Sequence, residues 1–492
     1  MDTTPTTIIT PSLSWGSIPP RGFQKRAARL VFAVPGEVYG TLLPLPDLSL
    51  KGLTDFPFPP QSTINSKVGL ASYFSKDLPM DISPIVLLKL QRLLMPEPTT
   101  IRQLVEFGRQ AWLDGFQSIR YIHLADGAET TTSFPMWVIT YWNSVLDIKK
   151  ISTKWVKSRD WIAVQLKQKK SVERRQLAQT ASIMLTNLPW GKSKPKECSE
   201  GGPIHALWRY LGSNWLASDE EDDLLELVRG DILDSPESCT NFRIQNTYFT
   251  NKLLSAFESG IDYHSKKTFA WLRNLGEDLS TEGSTLLTIV HLGVITESPH
   301  WVPLTIKKGE IAYGDSFGTG MPTKLEAACR WWLQQHDLSP TPQPISIRRL
   351  SITPQIDGHS CGILAHNALQ HLVDPIRNPL LDSPPGDIIQ QRLKVFNTVA
   401  QNIIARVCIY SDFPSLFILT FPFLSSMIAL LLRNWKKVST LATTQRSMLP
   451  NQVRSATPKM PSPSSSHPRH QLPLFLPVVP LLFHPLNATT NI

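Results

Sequence analysis

Cysteine is scarce in this chain. Five thiols, Cys198, Cys239, Cys329, Cys361 and Cys408, are scattered through 492 residues without a CxxC pair. An odd, dispersed set excludes a disulfide framework and points to reduced thiols in the nucleus or cytoplasm. A secretory signal is missing as well, because MDTTPTTIITPSLSWGS has no basic segment followed by an apolar one. Acidic excess is absent too: 49 Lys and Arg against 40 Asp and Glu leave a net charge of +9. Over this length such a balance decides little about partners. The charge is densest from Lys149 to Arg175, where Trp155 and Trp161 interleave with lysines. A solvated basic helix face is expected there, with nucleic-acid binding as the alternative.

Long apolar runs are also few. The segment 413–432, FPSLFILTFPFLSSMIALLL, carries no charge and is followed by Arg433, Lys436 and Lys437. Its length and basic flank match a membrane span, whereas Pro414, Pro422 and its hydroxyls oppose one. What the chain has in quantity is proline, at 41 residues, and tryptophan, at 14.

The length suits two or three domains. Residues 1–65 read as an irregular Pro/Thr-rich arm, and 66–200 as a mainly helical region of unknown function. ISPIVLLKLQRLL, IRQLVEFGRQAWLDGF and WVITYWNSVLDI all space apolar residues by three and four. The polar segment 191–203, GKSKPKECSEGGP, is the expected boundary. Beyond it helical and strand patterns alternate. DEEDDLLELVRGDIL starts acidic, as the positive end of a helix dipole prefers. STLLTIVHLGVIT, HWVPLTI and EIAYGDS are β-rich runs, and CGILAHNALQHLV is a helix opening on Cys361. The expected fold class is α+β, a small mixed sheet flanked by helices over 201–410. Residues 411–492 form an apolar, then Pro/Ser-rich tail, read as disordered or as a membrane anchor.

The chemistry concentrates in TPQIDGHSCGILAHNAL, residues 353–369. A cysteine at a helix start faces unpaired N–H groups and a partial positive charge, which favour the thiolate. Only the thiolate is a competent nucleophile. His300, between two β-rich runs, is the candidate base. Asp315 ends the next run, and adjacent antiparallel strands set two such side chains together. The carboxylate would then fix the imidazole tautomer. Gln355, ahead of the cysteine, is placed to donate its amide to an oxyanion beside the Cys361 N–H. The expected catalytic set is therefore His300, Asp315, Cys361 and Gln355. His291 reads as a satisfied buried histidine, and His366 and His371 as core-edge or exposed residues.

The order His-Trp, Gly-Asp-Ser, Gln-x-Asp-Gly-x-Ser-Cys-Gly resembles the ubiquitin-like-protein protease family, the SUMO (sentrin) proteases and their adenoviral protease relatives. The likeness spans roughly residues 205–410. It implies a papain-like or adenain-like thiol protease fold and a His300–Asp315–Cys361 triad with Gln355 in the oxyanion hole. It further implies that Trp301 and Trp215 shape a narrow tunnel for the Gly-Gly tail of a ubiquitin-like modifier, with no metal or organic cofactor. Divergent relatives with an extra N-terminal region occur in fungal genomes and beside transposable elements, an architecture this chain resembles.

Three rival readings compete. Asp357, His359, Cys361 and His366 can be imagined as zinc ligands, although their spacing matches no common finger. A Cys-His-acid site also serves acetyl transfer. A non-enzymatic transposon-associated protein with a relic protease domain is the third, and the intact four-residue set argues against it.

Overall fold

The structure, a computed structural model, describes residues 29–410 except 62–68, 82, 126–127, 196–200, 235–240, 297, 338–343 and 383–384. The tail expectation for 411–492 thus lies outside the described residues. Among the described residues, no helix is long and apolar enough to cross a membrane.

The helical expectation for the N-terminal region holds for four helices, Pro84–Arg92, Pro98–Leu113, Trp137–Leu166 and Val172–Asn187. Local chemistry marks their starts. Ser83 and Ser171 accept from the backbone N–H groups of Val86 and Arg174, and Pro84 and Pro98 occupy first-turn positions where a missing N–H costs nothing. The region also holds a sheet that helical periodicity did not announce. Strands β1 (Phe74–Ser75), β2 (Ser118–Ala125) and β3 (Ala128–Pro135) pair antiparallel in that order. Leu90, Leu104, Ile119, Phe134 and Trp142 close their own core around it. Val38, Leu42 and Leu43 join that core, so this part of the expected irregular arm is packed.

A second sheet organises the region beyond 203. β4 (Phe242–Ile244), β5 (Thr285–His291), β6 (Trp301–Lys307), β7 (Glu310–Tyr313) and β8 (Ser346–Arg349) lie side by side in chain order. The outer pairs are parallel and the inner ones antiparallel, a mixed sheet as expected. Period-two alternation splits its side chains cleanly. Leu286, Val290, Val302, Leu304 and Ile306 face the helices Tyr248–Ser259, Ala270–Glu282 and Thr323–Gln335. Leu287, Ile289, Trp301 and Ala312 face the helices Ser218–Asp234 and Cys361–Val373.

The Cys361–Val373 helix is the centre of the molecule. Every residue from Cys361 to Gln370 is buried, the polar His366, Asn367 and Gln370 included. Cys361, Ala365 and Leu369 pack on the sheet. Ile363 packs the other way, into a core built from Leu50, Trp155, Ala178, Leu185, Leu224 and Phe396. That core crosses the expected boundary at 191–203. Within the segment, Lys194 makes a fully buried ion pair of 2.8 Å with Asp223, and the Gly191 N–H donates to Pro46 O at 2.9 Å. The interleaved Trp155 is buried in this core and Trp161 packs against it, so these rings are not free to stack on bases. Lys154 lies over the Trp208 ring at 4.5 Å.

Candidate active site

Asp315 follows β7 and His300 immediately precedes β6. The β6–β7 register, Leu304 opposite Tyr313, brings the two strand ends together. His300 Nε2 donates to Asp315 Oδ1 at 3.0 Å, and both residues are buried. Asp315 is held from three further directions. The Phe317 N–H donates to Oδ1 at 2.7 Å, while the Thr319 and Tyr313 hydroxyls donate to Oδ2. Burial alone would raise this carboxyl, but the bonds from His300, Thr319 and Phe317 hold it below its ordinary value. The Phe317 ring stacks on the imidazole at 4.8 Å and 25° while remaining 55% exposed. The imidazole is thus fixed by its Nε2 bond and by a face-on ring. Its other nitrogen, Nδ1, is buried without a hydrogen-bond partner among the described residues.

Cys361 begins its helix, as expected, but its ionisation departs from expectation. The residue is only 1% exposed. Burial pushes the thiol up to about 12, although the N–H groups of Trp301 and Gly362 favour the thiolate. Desolvation here exceeds what the helix start supplies, because the whole first turn lies in the core rather than at a surface. The contact with the Trp301 N–H sets the sulfur beside the residue that follows His300.

Gln355 reaches the same place through a short polar relay. Its N–H donates to Ser316 O at 2.8 Å, and Ser316 Oγ donates to Gln355 Oε1 at 2.9 Å. The Gln355 amide nitrogen donates to Asp357 O at 2.7 Å and, more weakly, to Asp357 Oδ1 at 3.3 Å. Asp357 then shapes the turn into the helix. Its Oδ1 accepts from the His359 and Ser360 N–H groups at 2.9 and 2.8 Å, and Oδ2 accepts from Ser360 Oγ at 2.7 Å. Sequence reasoning used Asp357 only as a zinc candidate; the Asp-Gly pair before the helix is the turn signal that marks it.

Trp301 and Trp215 differ from one another. Trp301 is buried, packed against His291 at 4.5 Å, and its indole donates to Leu216 O at 2.9 Å. That bond brings the Trp215–Leu216 segment to β6, where Trp215 keeps 40% of its surface exposed. Trp301 supports this wall from behind, and Trp215 presents it. His366 is fully buried rather than core-edge or exposed, because its helix is covered on all sides, and neither ring nitrogen is bonded among the described residues; His371 Nδ1 meets Asn378 O at 3.0 Å. Among the described residues, no group of three or more His, Cys, Asp and Glu side chains is arranged to hold a metal ion.

No protein-family model matches the chain, and no curated protein matches it. Similar solved structures do exist. The SUMO protease Ulp1 with its catalytic cysteine oxidised to a sulfenic acid is similar over 49% of this chain and 99% of that one, at 12% identity and a TM-score of 0.35. The C-terminal Ulp1 protease domain in complex with Smt3, the yeast ortholog of SUMO, is 15% identical over 50% of this chain and 96% of its own, with a TM-score of 0.33. The Chaetomium thermophilum Ulp1-like SUMO protease catalytic domain is 15% identical over 48% and 91%, also with a TM-score of 0.33. Over about half its length, this α+β chain is similar in fold to the catalytic domains of SUMO proteases.

Proposed function

We propose that this chain is a thiol protease that hydrolyses the peptide or isopeptide bond after the C-terminal Gly of a ubiquitin-like modifier, SUMO-like in class. The observation that carries the reading is the convergence of four residues distant in sequence. His300 is bonded to Asp315, Gln355 is tied to the neighbour of Asp315, and the Cys361 sulfur lies beside the neighbour of His300. The motif around Cys361 resembles the same family.

Asp315 holds the tautomer with the proton on Nε2, so the unbonded Nδ1 is the basic atom. In the resting site the thiol is protonated, and Nδ1 makes no hydrogen bond. Catalytic contacts of this kind often tighten only in the substrate complex. There Nδ1 takes the thiol proton as the sulfur attacks the carbonyl carbon of the terminal Gly. The oxyanion accepts from the Cys361 N–H and from the Gln355 amide, which exchanges its 3.3 Å contact with Asp357 Oδ1 for the substrate oxygen. The imidazolium returns its proton to the leaving lysine amine, or to an α-nitrogen in precursor processing. A water deprotonated by the same Nδ1 then hydrolyses the thioester. Trp215 provides the exposed aromatic wall for an extended, side-chain-free tail.

The test is covalent capture. SUMO and other ubiquitin-like modifiers carrying a C-terminal vinyl sulfone or propargyl group are incubated with the folded protein. Labelling at Cys361 is expected, lost in Cys361→Ser. Folded protein that reacts with none of the panel would sink the proposal, and the reactive member identifies the modifier.

A further inference from the structure

Glu221 stands on the Ser218–Asp234 helix with none of its surface exposed. Its carboxyl fills the space beside the second residue of the Cys361–Val373 helix: a Cβ on Gly362 would sit 1.7 Å from Oε1. Neither carboxyl oxygen has a hydrogen-bond partner among the described residues. Burying an unbonded carboxyl is costly, and nothing in packing demands one where an apolar side chain would fit.

A buried cation lies close by. Arg392, on the Pro385–Tyr410 helix, donates from Nη1 to the carbonyls of Arg209 and Tyr210 and from Nη2 to those of Asn214 and His359. Its Nε has no partner. The guanidinium attracts the negative forms of Asp357, Cys361 and Glu221. The other acids around Glu221 are otherwise engaged. Glu220 pairs with Arg209, Asp222 accepts from the Thr247 N–H, and Asp357 is tied into the turn at Ser360. Two buried acids therefore flank one buried guanidinium: Cys361, met by the Trp301 and Gly362 N–H groups, and Glu221, unbonded among the described residues.

We propose that Glu221 is a positioning residue for this site: it competes with Cys361 for the field of Arg392, so that the two acids do not carry negative charge together. The role rests on reading Cys361 as the nucleophile. Like charges in a poorly solvated site cannot both form cheaply, and their titrations become coupled. With Glu221 ionised, the thiol is held neutral. With Glu221 protonated, the charge on Arg392 is available to the thiolate as it forms. Burial raises the Glu221 carboxyl well above its ordinary value, so it is at pH above that raised value that Glu221 holds the thiol neutral and unreactive towards adventitious electrophiles.

The experiment is the pH profile of Cys361 alkylation by iodoacetamide in the full chain, read at the Cys361 peptide by mass spectrometry. Glu221→Gln and Glu221→Met are expected to lower its midpoint by about one pH unit and to speed alkylation about tenfold near pH 8–9. A folded variant with the midpoint of the unsubstituted protein overturns the proposal, since a merely structural role moves thermal stability and not the midpoint. Should neither variant fold, ¹³C-glutamate NMR of the unsubstituted protein decides. Burial raises Glu220 as well, so a glutamate carboxyl that titrates well above the ordinary value and persists in Glu220→Gln supports the proposal, and its absence overturns it. Alkylation needs no modifier. An unmoved midpoint with intact modifier labelling removes only the role of Glu221, while a lowered midpoint in protein that no modifier probe labels removes only the protease reading.

Discussion

Asp315 is the best-anchored acid of the candidate site, with donors from His300, Phe317, Thr319 and Tyr313. Each of these bonds favours the carboxylate. Replacing it by Asn keeps the shape but lets the side-chain amide present N–H to the ring, which reverses the tautomer and moves the imidazole proton to Nδ1. The proposed base then has no lone pair for the thiol. Asp315→Asn is expected to slow modifier-probe labelling by about 10²-fold or more, with far-UV circular dichroism unchanged. Unchanged labelling would show that His300 needs no partner. The same residue has a pH consequence. Its folded-state value lies below the ordinary 3.8, so its contribution to stability is present above the unfolded value and is lost as pH falls through the lowered one. The acid-unfolding midpoint of Asp315→Asn should therefore be less sensitive to pH in the range 2–4 than that of the unsubstituted protein.

At the scale of the element, the Cys361–Val373 helix carries two features that its sequence pattern alone does not explain. Gly at its second position normally weakens a helix by about 1 kcal/mol relative to Ala. Here the Glu221 carboxyl occupies the volume a methyl group would need. Gly362→Ala must displace that carboxyl, and a loss on the order of 2–3 kcal/mol is expected despite the better helix propensity. Denaturant unfolding measures it, and a stabilised variant would contradict the packing. His366 lies one turn further on, fully buried, and burial drives its imidazole down to about 3. The folded state keeps this ring neutral while the unfolded chain protonates it below the ordinary 6.5. Stability therefore falls as pH drops from about 6.5 towards 3, by roughly 1.4 kcal/mol per unit from this group. His366→Leu should flatten the dependence of unfolding free energy on pH across that interval. An equal slope in both proteins would show that water reaches the ring.

At the scale of the molecule, the N-terminal region and the segment bearing Cys361 share a core. Trp155, Ala178 and Leu185 from one side meet Ile204, Leu224, Ile363 and Phe396 from the other. The described residues fall within one compact unit, Met1–Pro422. A fragment of residues 201–410 would expose the back of the Cys361–Val373 helix, and single Trp truncations in such cores already cost about 3–5 kcal/mol against a total stability of about 5–15 kcal/mol. The fragment is expected to show no cooperative thermal transition, whereas residues 29–410 should unfold in one. A fragment that melts cooperatively would restore the boundary expected at 191–203.

Local signals were sufficient for much of this. Strand and helix periods placed β5, β6, β7 and the Cys361–Val373 helix. In sequence, the Asp126-Gly127 dipeptide is a hairpin signal that agrees with the antiparallel pairing of β2 and β3. The residue types at 300, 315, 355 and 361 named the chemistry, since nucleophile, base, orienting acid and amide donor are each legible as side chains in order. Their ionisation was not legible. The thiol of Cys361 depends on burial, on Glu221 from another helix and on Arg392 from a third, none of them near it in sequence. Sequence by itself determined which groups are present and which elements carry them. Only tertiary structure decided their protonation and solvent access, because desolvation and through-space charge are set by what packs against a group rather than by what precedes it in the chain.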